Sequence, residues 1–406
     1  MKHREKPRVL FVNSLFRTYE RQLYEALATE FELHAVFISP PPASDAPVLE
    51  SLRGTLDWKI VGTTVDKLTP AHVRDNAGLF RLTYQVGRRC DAIISGTTDS
   101  WKARVVYAAA RAARVPVGLR KEKWHDRAEV LRGLRGVYWR GQERWTAHLE
   151  RHATGVLVGG TRAQQYLLSQ GVPPDHILPF RYLHADLGAL PLDPVQVAEL
   201  ERHKAGRTAF LYLGRVMRQK GLADLVRAFQ QLVASGRDAV LFVVGGPITS
   251  DTGRGDVSTA YYDECQRLAA GDPRIVFFGA TAPDRVQNFY AAADVFIHPH
   301  VATVDGIPMY EGWGNVITEA MSMSKPVITT THVASAFDVV TDDRTGYLLD
   351  ASAVEAGLVD AMARFVDAPT LARELGANAR RTYETFVDPS VNIATIHRLI
   401  HRGAPT

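Results

Sequence analysis

Short apolar runs rich in Val, Ile, Leu and Phe alternate with amphipathic helical patterns along most of the chain. Between the runs, stretches such as residues 19–31 and 101–115 repeat apolar positions with helical spacing. Continuous apolar strands separated by helices are typical of parallel sheets covered on both faces. In the first half, we expect strands at residues 8–13, 33–39, 58–62, 91–96, 116–120 and 155–160.

The same alternation restarts after a Pro-containing stretch at residues 179–196, with expected strands at 208–214, 239–246, 274–280, 294–299, 325–331 and 346–350. Two such runs predict an α/β fold of two doubly wound Rossmann-like domains facing a cleft. Ligands of such sheets bind beyond the carboxyl ends of the strands. The predicted parts are an N-terminal domain, a C-terminal domain and a final helix that could pack back on the first domain, at residues 1–185, 186–385 and 386–406.

Length and composition fit this organisation and narrow the class of protein. The 406 residues suit two domains of about 200 residues each. Two cysteines give neither a disulfide framework nor a CxxC metal pair, so we expect an intracellular, cytoplasmic protein. The basic N-terminus has too short an apolar run for a signal peptide, and no stretch approaches the ~20 apolar residues of a membrane-spanning helix.

The net charge of +4 hides an asymmetry between the two halves. Residues 1–186 hold 28 Lys and Arg and 19 Asp and Glu, or +9; subtraction from the totals of 48 and 44 leaves 20 and 25, or −5, for residues 187–406. A basic first half predicts an anionic partner for that half. No nucleic-acid module is recognised and the aromatic residues form no stripe, so we expect no nucleic-acid partner.

Two carboxylates flank a Gly-Trp-Gly turn in EGWGNVITEAMSMSKPVITT. Glu311 and Glu319 stand eight positions apart, and the turn feeds an apolar helix. The unpaired amides at a helix start favour an anionic group, while carboxylates accept hydrogen bonds from hydroxyl groups. Together they indicate a nucleotide-sugar pocket. The alternative is that Glu311 caps the helix and Glu319 is solvated.

Two cations open the second half of the chain. In YLGRVMRQKG, Arg215 follows a predicted strand and Lys220 precedes a predicted helix. Both therefore project from a strand–helix loop at the open end of the sheet, where they would suit a diphosphate. Two solvated surface charges remain the alternative.

These motifs resemble, in order and separation, the second domain of glycosyltransferase family 4, whose members have the GT-B fold. The resemblance covers about 140 residues and is carried by GRVMRQKG, VFFGA, NFYAAADVFIHP, EGWGNVITEAMSMSKPVITT and DRTGYLLD. It implies that Arg215 and Lys220 hold the donor diphosphate and stabilise its leaving charge. It also implies that Glu319 binds the ribose hydroxyls and Glu311 the hydroxyls of the donor sugar.

The resemblance further implies which backbone groups meet the donor. The backbone near Gly279 to Thr281 would contact the base. Amides at the helix start would face the sugar or phosphate, namely those of Gly312, Trp313, Gly314 and Asn315.

By the same resemblance, the protein is expected to be a retaining glycosyltransferase (hexosyltransferase type, EC 2.4) that takes its sugar from a nucleoside diphosphate. Fixed cations and helix-start amides can stabilise the departing diphosphate without a metal, and the sequence has no D-x-D signature, so we expect no metal and no cofactor. The expected acceptor is a glycan, a lipid-linked saccharide or a cell-envelope precursor, which places the protein in polysaccharide biosynthesis. The alternatives are a GT-B sugar-nucleotide epimerase and a non-catalytic sugar-nucleotide-binding scaffold.

The first half follows the family pattern less closely. Many family members have a Gly-Gly loop after the first strand, whereas this chain reads NSLFRTYERQL without glycine. Because a backbone without glycine cannot approach a ligand closely, side chains are expected to do that work, namely those of Arg17, Thr18 or Arg21.

The histidine that many members carry after the fifth strand is also replaced, by LRKEKWHDR. Glu122 and His125 are the candidates for the catalytic position, and Arg120 and Arg17 are expected on the acceptor side. A structural role for His125, as a cap or packed beside Trp124, stays open.

The basic excess is concentrated in the segment at residues 130–152. Between Lys102 and Arg151 there are 13 Lys and Arg against five Asp and Glu. Basic residues beside tryptophan suit binding to an anionic bilayer surface, such as the inner face of the cell membrane, or to a lipid-diphosphate acceptor. An ordinary cleft-side helix with solvated arginines is the alternative. We expect an inward face of Leu131, Leu134, Tyr138 and Trp145 and an outward face of Arg132, Arg135, Trp139 and Arg140.

Overall fold

A computed structural model of the protein describes residues 6–61, 70–96, 101–125, 133–247 and 258–403. The chain divides into two compact units. The first comprises Met1–Ala185 with Val387–Thr406, and the second comprises Asp186–Phe386. Within the described ranges, no helix is long and apolar enough to cross a lipid bilayer.

The first unit is built on a seven-stranded sheet in which all neighbouring strands are parallel. Its strands are β1 Arg8–Asn13, β2 Glu32–Phe37, β3 Leu56–Ile60, β4 Ala92–Ser95, β5 Val117–Lys121, β6 Gly155–Val158 and β7 Ile177–Pro179. Their order across the sheet is β3-β2-β1-β4-β5-β6-β7. The order reverses between β1 and β4, and ligands of open parallel sheets bind outside the carboxyl ends of the strands at such a point.

Helices surround this sheet because alternate residues of its central strand are buried on opposite faces. Val9 and Phe11 pack in one apolar cluster, and Leu10 and Val12 pack in another. Both faces must therefore be covered, as the continuous apolar runs predict. The helices are α1 Arg21–Leu27, α2 Ala46–Ser51, α3 Pro70–Gly87, α4 Trp101–Ala113, α5 Gly133–His152 and α6 Thr161–Ser169.

The second unit repeats the architecture with a six-stranded parallel sheet. Its strands are β8 Thr208–Leu213, β9 Ala239–Val244, β10 Ile275–Gly279, β11 Val295–His298, β14 Val327–Thr330 and β15 Gly346–Leu349. The order is β10-β9-β8-β11-β14-β15, so the reversal lies between β8 and β11. A short antiparallel hairpin, β12 Thr303–Val304 and β13 Ile307–Pro308, follows β11.

Eight helices within the described ranges accompany this second sheet: α7 Pro194–Lys204, α8 Leu222–Ala234, α9 Ser258–Ala269, α10 Val286–Ala292, α11 Asn315–Ser322, α12 Ala336–Val339, α13 Val354–Asp367 and α14 Leu371–Phe386. Helix α8 is strongly amphipathic. Its buried Leu225, Val226 and Phe229 recur at helical spacing and join the core of the unit.

The last helix, α15 Ser390–Gly403, belongs to the first unit. Its Ile396 and Leu399 are fully buried in the same apolar cluster as β1. Asn392 fixes the position of α15, because its side chain accepts from the Arg181 amide at 2.7 Å and donates to the Arg181 carbonyl at 3.0 Å. The chain thus crosses back to complete the first sheet's apolar cover.

The predicted α/β class of two doubly wound Rossmann-like units is confirmed, and each of the twelve predicted strands overlaps a strand of the structure. The sequence argument missed β7 and the hairpin. Both are too short for a periodic pattern, since β7 has three residues and each hairpin strand has two.

Candidate functional site

The candidate site of the second unit lies at the carboxyl edge of its sheet, where β8, β10 and β11 end. Arg215 lies two residues after the end of β8 and is exposed. A short 3₁₀ turn, Arg218–Lys220, then leads into α8 through Gly221. Gly221 has φ +67, and a Cβ there would lie 1.9 Å from the carbonyl oxygen of Pro299. Only glycine therefore lets α8 begin so close to the end of β11.

Lys220, Glu311 and His298 form a compact cluster at this edge. The Lys220 ammonium donates to both carboxylate oxygens of Glu311, each at 2.5 Å. His298, the last residue of β11, places its Nε2 2.7 Å from Oε2 of the same carboxylate. The side chains of Lys220, Glu311 and His298 are only 11%, 18% and 3% exposed. One carboxylate thus joins the loop before α8 to the end of β11.

The protonation states of this cluster follow from its surroundings. Burial raises the pKa of Glu311, but Lys220 and His298 outweigh it and hold that pKa well below the usual value. Burial, together with the nearby Lys220 ammonium, lowers the pKa of His298 below its ordinary value although Glu311 raises it. In the described part of the chain, Nδ1 of His298 is buried without a hydrogen-bond partner. A proton there would be costly, so a neutral imidazole donates from Nε2 to an ionised Glu311.

The chain from Glu311 to the start of α11 is held against the segment after β14. The Glu311 amide donates to the His332 carbonyl at 2.9 Å, and the Ser335 amide donates to the Trp313 carbonyl at 3.1 Å. Gly314 then turns the chain into α11 with φ +92, and a Cβ there would lie 2.7 Å from Cγ1 of Val333.

The first amides of α11 are available to a ligand. No side chain caps the helix at Gly314. Among the described residues, neither the Asn315 nor the Val316 amide donates a hydrogen bond. Unpaired N–H groups and the positive end of the helix dipole favour an anion at this position.

Glu319 lies one turn further along α11 and is in contact with Tyr290 of α10. The Tyr290 hydroxyl lies 3.4 Å from Oε2 of Glu319 and 3.2 Å from the Val316 carbonyl oxygen. Burial raises the pKa of Glu319 to about 7, although the Tyr290 hydrogen bond lowers it. Glu319 is therefore poised between its neutral and ionised forms at physiological pH, in contrast to Glu311.

The remaining positions predicted to bind the donor lie at the same sheet edge. Gly279 ends β10 with φ +69, and Thr281 follows two residues later and is partly buried. Gly312 is partly buried, while Trp313 is buried and stacks on Phe386 with ring centroids 5.4 Å apart. Because neighbouring strands are parallel, the ends of β8, β10 and β11 all lie on the edge that carries Lys220.

The predicted site residues of the first unit lie around a buried arginine at the carboxyl end of β5. Arg120 packs 4.4 Å from the Tyr182 ring centroid and lies 3.8 Å from Glu20 and 3.9 Å from Glu122. Arg120 is only 8% exposed, whereas Glu122 is exposed. Two carboxylates thus lie within 4 Å of the Arg120 guanidinium.

The other first-unit candidates are more accessible. Arg17 is half-exposed and lies 3.5 Å from Asp45. Thr18 donates to the same Asp45 carboxylate at 2.7 Å. His125 is partly buried, with its ring 6.3 Å from Trp124 in an edge-on arrangement. Arg21 pairs with Glu25 on the surface of α1.

Glu20 lies in the glycine-free loop between β1 and α1, and the sequence argument did not single it out. It is buried, its carboxylate lies 3.4 Å from the Asn13 amide group, and it accepts from the Arg17 backbone N–H at 3.3 Å. Burial raises the pKa of Glu20 to about 7, against the opposing effect of Arg120. A carboxylate in the loop between the first strand and the first helix was the signal that could have identified it.

The expected faces of the basic segment at residues 130–152 are corrected. Tyr138 and Trp145, expected inward, are 58% and 51% exposed. Trp139, expected outward, is partly buried, and only Arg140 is exposed as expected. The inward side of α5 is instead formed by Thr146, Leu149 and Glu150. Leu131 and Arg132 lie outside the described residues, as do the side chains of Leu134 and Arg135.

In the described part of the chain, no three His, Cys, Asp or Glu side chains come together in a group that could hold a metal ion. The groups that the structure places at the edge of the second sheet are cations, helix-start amides and carboxylates. Such a set binds phosphate and hydroxyl groups.

The match to a family model falls within the second unit. Residues 198–382 match the family model described as glycosyl transferases group 1. The capsular polysaccharide biosynthesis glycosyltransferase CapM of Staphylococcus aureus is 28% identical over 174 residues, 43% of this chain and 40% of CapM. A GDP-mannose-dependent alpha-mannosyltransferase of Mycobacterium tuberculosis is 27% identical over 230 residues, 55% of this chain and 50% of the relative. The chain therefore spans half or less of the length of these relatives.

Likeness in structure extends over nearly the whole chain. The crystal structure of Anabaena HepE in complex with UDP and glucose aligns with a TM-score of 0.71 at 15% identity, over 96% of this chain and 98% of HepE. The fold is therefore GT-B, and the resemblance noted in the sequence agrees with the match of residues 198–382 to the group 1 glycosyltransferase model. Assignment to family 4 and retention of configuration remain predictions.

Proposed function

We propose that this protein is a retaining, metal-independent glycosyltransferase of family 4 that transfers a sugar from a nucleoside diphosphate to an acceptor bound by the first unit. The observation that carries the proposal is the arrangement at the carboxyl edge of the second sheet. Lys220, Glu311, Glu319 and the unpaired amides of α11 occur there together. They combine an anion site with hydroxyl acceptors, which matches the two chemical parts of a sugar nucleotide.

The relatives support the same activity by their names. CapM is a capsular polysaccharide glycosyltransferase, the mycobacterial relative depends on GDP-mannose, and HepE binds UDP and glucose. The two names that state a nucleotide, those of the mycobacterial relative and of HepE, agree on a nucleoside diphosphate and differ in the base and the sugar. Our proposal therefore specifies nucleoside-diphosphate sugars as the class of donor, without choosing the base or the sugar.

Catalysis in this proposal stabilises the departing diphosphate. The bond from the anomeric carbon to the β-phosphate oxygen breaks, a bond to an acceptor hydroxyl oxygen forms, and the acceptor proton ends on the released diphosphate. Arg215, Lys220 and the α11 amides would stabilise the negative charge that builds up on the diphosphate, a type of interaction typically worth about 3–4 kcal/mol per donor. A lysine ammonium has three donors, so the two on Glu311 leave one for a phosphate oxygen.

Hydroxyl groups of the donor would be bound by the two glutamates. Glu311, ionised and aimed by His298, would accept from the donor sugar, and Glu319 would accept from the ribose. Backbone from Gly279 to Thr281 would meet the base. The amides from Gly312 to Asn315 would face the sugar or a phosphate.

The acceptor is proposed to be a glycan, a lipid-linked saccharide or a cell-envelope precursor. Arg17 and Arg120 would lie on the acceptor side, and Glu122 or His125 near the reacting carbon. The proposed location is cytoplasmic, at the inner face of the cell membrane, with peripheral contact to anionic lipid.

A donor panel tests the proposal. The protein is incubated with UDP-, GDP-, ADP- and dTDP-sugars in excess chelator, and the products are identified. A transferase is supported if the wild type slowly releases one nucleoside diphosphate. This release should be lost in Lys220→Met and kept in Arg237→Gln. Arg237 is a suitable control because it pairs with Asp367 before β9, at the opposite edge of the sheet. An altered sugar on an intact nucleotide would indicate an epimerase, binding without turnover a scaffold, and a strict Mg²⁺ requirement would contradict metal independence.

A further inference from the structure

Two helices of the first unit leave large apolar side chains in solvent on a shared face. Trp101 of α4 is 53% exposed, and Val137, Tyr138 and Trp145 of α5 are 58%, 58% and 51% exposed. We call these four residues, with Arg104, the aromatic-basic face. Single exposed apolar residues are ordinary, but a contiguous group on neighbouring elements marks an interaction surface.

Arg104 connects the two helices within this face. Its guanidinium lies 4.9 Å from the ring centroid of Trp101 on its own helix and 5.5 Å from that of Trp145 on α5. It also donates to the Gln142 side chain. One guanidinium thus lies near both tryptophan rings and connects α4 to α5 at this face.

The charged residues of α4 and α5 that lie around this face are predominantly cationic. The sequence of α4 contains no acidic residue. The two carboxylates of α5 are both engaged by buried lysines, Glu143 by Lys123 and Glu150 by Lys121. The remaining Lys and Arg residues leave the two helices cationic, and those whose side chains the structure describes are Lys102, Arg104, Arg111, Arg140, Arg144 and Arg151.

We propose that the aromatic-basic face binds the surface of an anionic lipid bilayer. Tryptophan and tyrosine rings sit at the headgroup level of a membrane, and arginines beside them attract acidic lipids. The exposed Val137 distinguishes a membrane from a nucleic acid, because an aliphatic side chain on this face has nothing to offer to a phosphate backbone. The proposal refines the membrane contact of the proposed function, but it requires no donor turnover.

Vesicle sedimentation of the full-length protein tests this inference separately from catalysis. The protein is mixed with phosphatidylcholine vesicles, with or without phosphatidylglycerol, at low and at physiological salt. We expect binding only to vesicles that contain phosphatidylglycerol, weakened by salt as screening requires. Arg140→Gln with Arg144→Gln should weaken partitioning about thirtyfold, since each cation near an anionic surface contributes about a factor of five.

The aromatic part is tested by Trp101→Ser with Trp145→Ser, which should reduce binding and abolish quenching of tryptophan fluorescence by brominated lipid. Val195→Ser with Arg237→Gln is the matched control, because Val195 is 74% exposed on the second unit. Circular dichroism confirms folding, and the arginine pair carries the test if the tryptophan pair does not fold. Equal binding to neutral vesicles, unchanged binding of both variants, or binding to single-stranded RNA but not to vesicles would overturn the inference.

Discussion

Lys220 and Glu311, 91 residues apart in sequence, meet with the lysine ammonium 2.5 Å from each carboxylate oxygen. The contact pairs a group expected to bind a diphosphate with one expected to bind a sugar. Because both side chains are largely buried, neither charge is stable without the other. The pair therefore contributes both to the stability of the second unit and to its proposed chemistry. We expect substitutions to separate these two effects.

Removing the lysine alone should destabilise the second unit. Lys220→Met leaves the Glu311 carboxylate partly buried without its cationic partner, at a cost of about 3 kcal/mol. Lys220→Met with Glu311→Gln should recover most of this loss, yet donor turnover should remain lost in both. Calorimetric unfolding and donor hydrolysis measure the two effects. A double variant as unstable as the single one would contradict the pairing.

The contribution of the Lys220–Glu311 ion pair to the stability of the second unit should also depend on pH. The folded-state pKa of Glu311 is depressed below its ordinary value of 4.5. The stabilisation is therefore fully present above pH 4.5 and is lost as the pH falls through the lower folded-state pKa. The unfolding temperatures of wild type and Lys220→Met, measured from neutral to acid pH, should converge in that acid range. A gap that stays constant would show that another interaction sets the difference.

Glu319 should make donor binding depend on pH in a different range. Its pKa is raised to about 7, and ribose hydroxyls donate best to the ionised carboxylate. Affinity should therefore rise as the pH increases from below to above 7, and Glu319→Gln should remove the dependence while weakening binding. The intact diphosphate sugar is the proper ligand, because it lacks the terminal phosphate whose own titration would interfere. A pH profile unaltered in Glu319→Gln would exclude the ribose role.

His298 is expected to act as a positioning residue for Glu311. His298→Ala removes one charge-assisted hydrogen bond, so the apparent KM for the donor sugar nucleotide should rise about tenfold. Affinity for the free nucleoside diphosphate should stay unchanged, since that ligand has no sugar for Glu311. His298→Gln, whose amide nitrogen can occupy the place of Nε2, should restore most of the donor KM. Equal weakening of both ligands would indicate a general structural role instead.

Gly314 should be intolerant of any side chain. Gly314→Ala combines a strained φ of +92 with a Cβ 2.7 Å from Val333, so it should cost about 1–3 kcal/mol and reduce donor turnover by displacing the start of α11. Gly206→Ala is the matched control, since Gly206 has φ +77 but open space around its Cβ. Thermal unfolding and donor turnover of the two variants separate backbone strain from the clash. Similar turnover in both would mean that the α11 start is not used.

The sequence was sufficient to predict all strands of the two sheets except β7, because continuous apolar runs leave few alternatives to buried parallel strands. It was not sufficient for the His298 contact. His298 lies in a predicted strand, and only the assembled sheet brings it 2.7 Å from Glu311. Tyr290 was missed for the same reason, since its contact with Glu319 joins two helices 29 residues apart in sequence.

The first unit shows where pattern reasoning gave the wrong answer. Tyr138 and Trp145 were assigned inward on the assumption that aromatic residues at helical spacing face the core. In the structure they are exposed, because the buried side of α5 holds Thr146, Leu149 and the Lys121–Glu150 ion pair instead. Hydrophobicity alone could not reveal that a buried ion pair occupies the place of an apolar contact.

Equilibrium binding of the donor tests the central claim most directly. Calorimetric titration of wild type with the UDP-, GDP-, ADP- and dTDP-sugars in excess chelator should give one binding donor. That affinity should be lost in Lys220→Met with Arg215→Ala, weakened in Glu319→Gln and unchanged in Arg237→Gln. Wild type that binds none of these donors, or a donor affinity that the Lys220, Arg215 and Glu319 substitutions leave unchanged, would contradict a sugar-nucleotide site at the carboxyl edge of the second sheet.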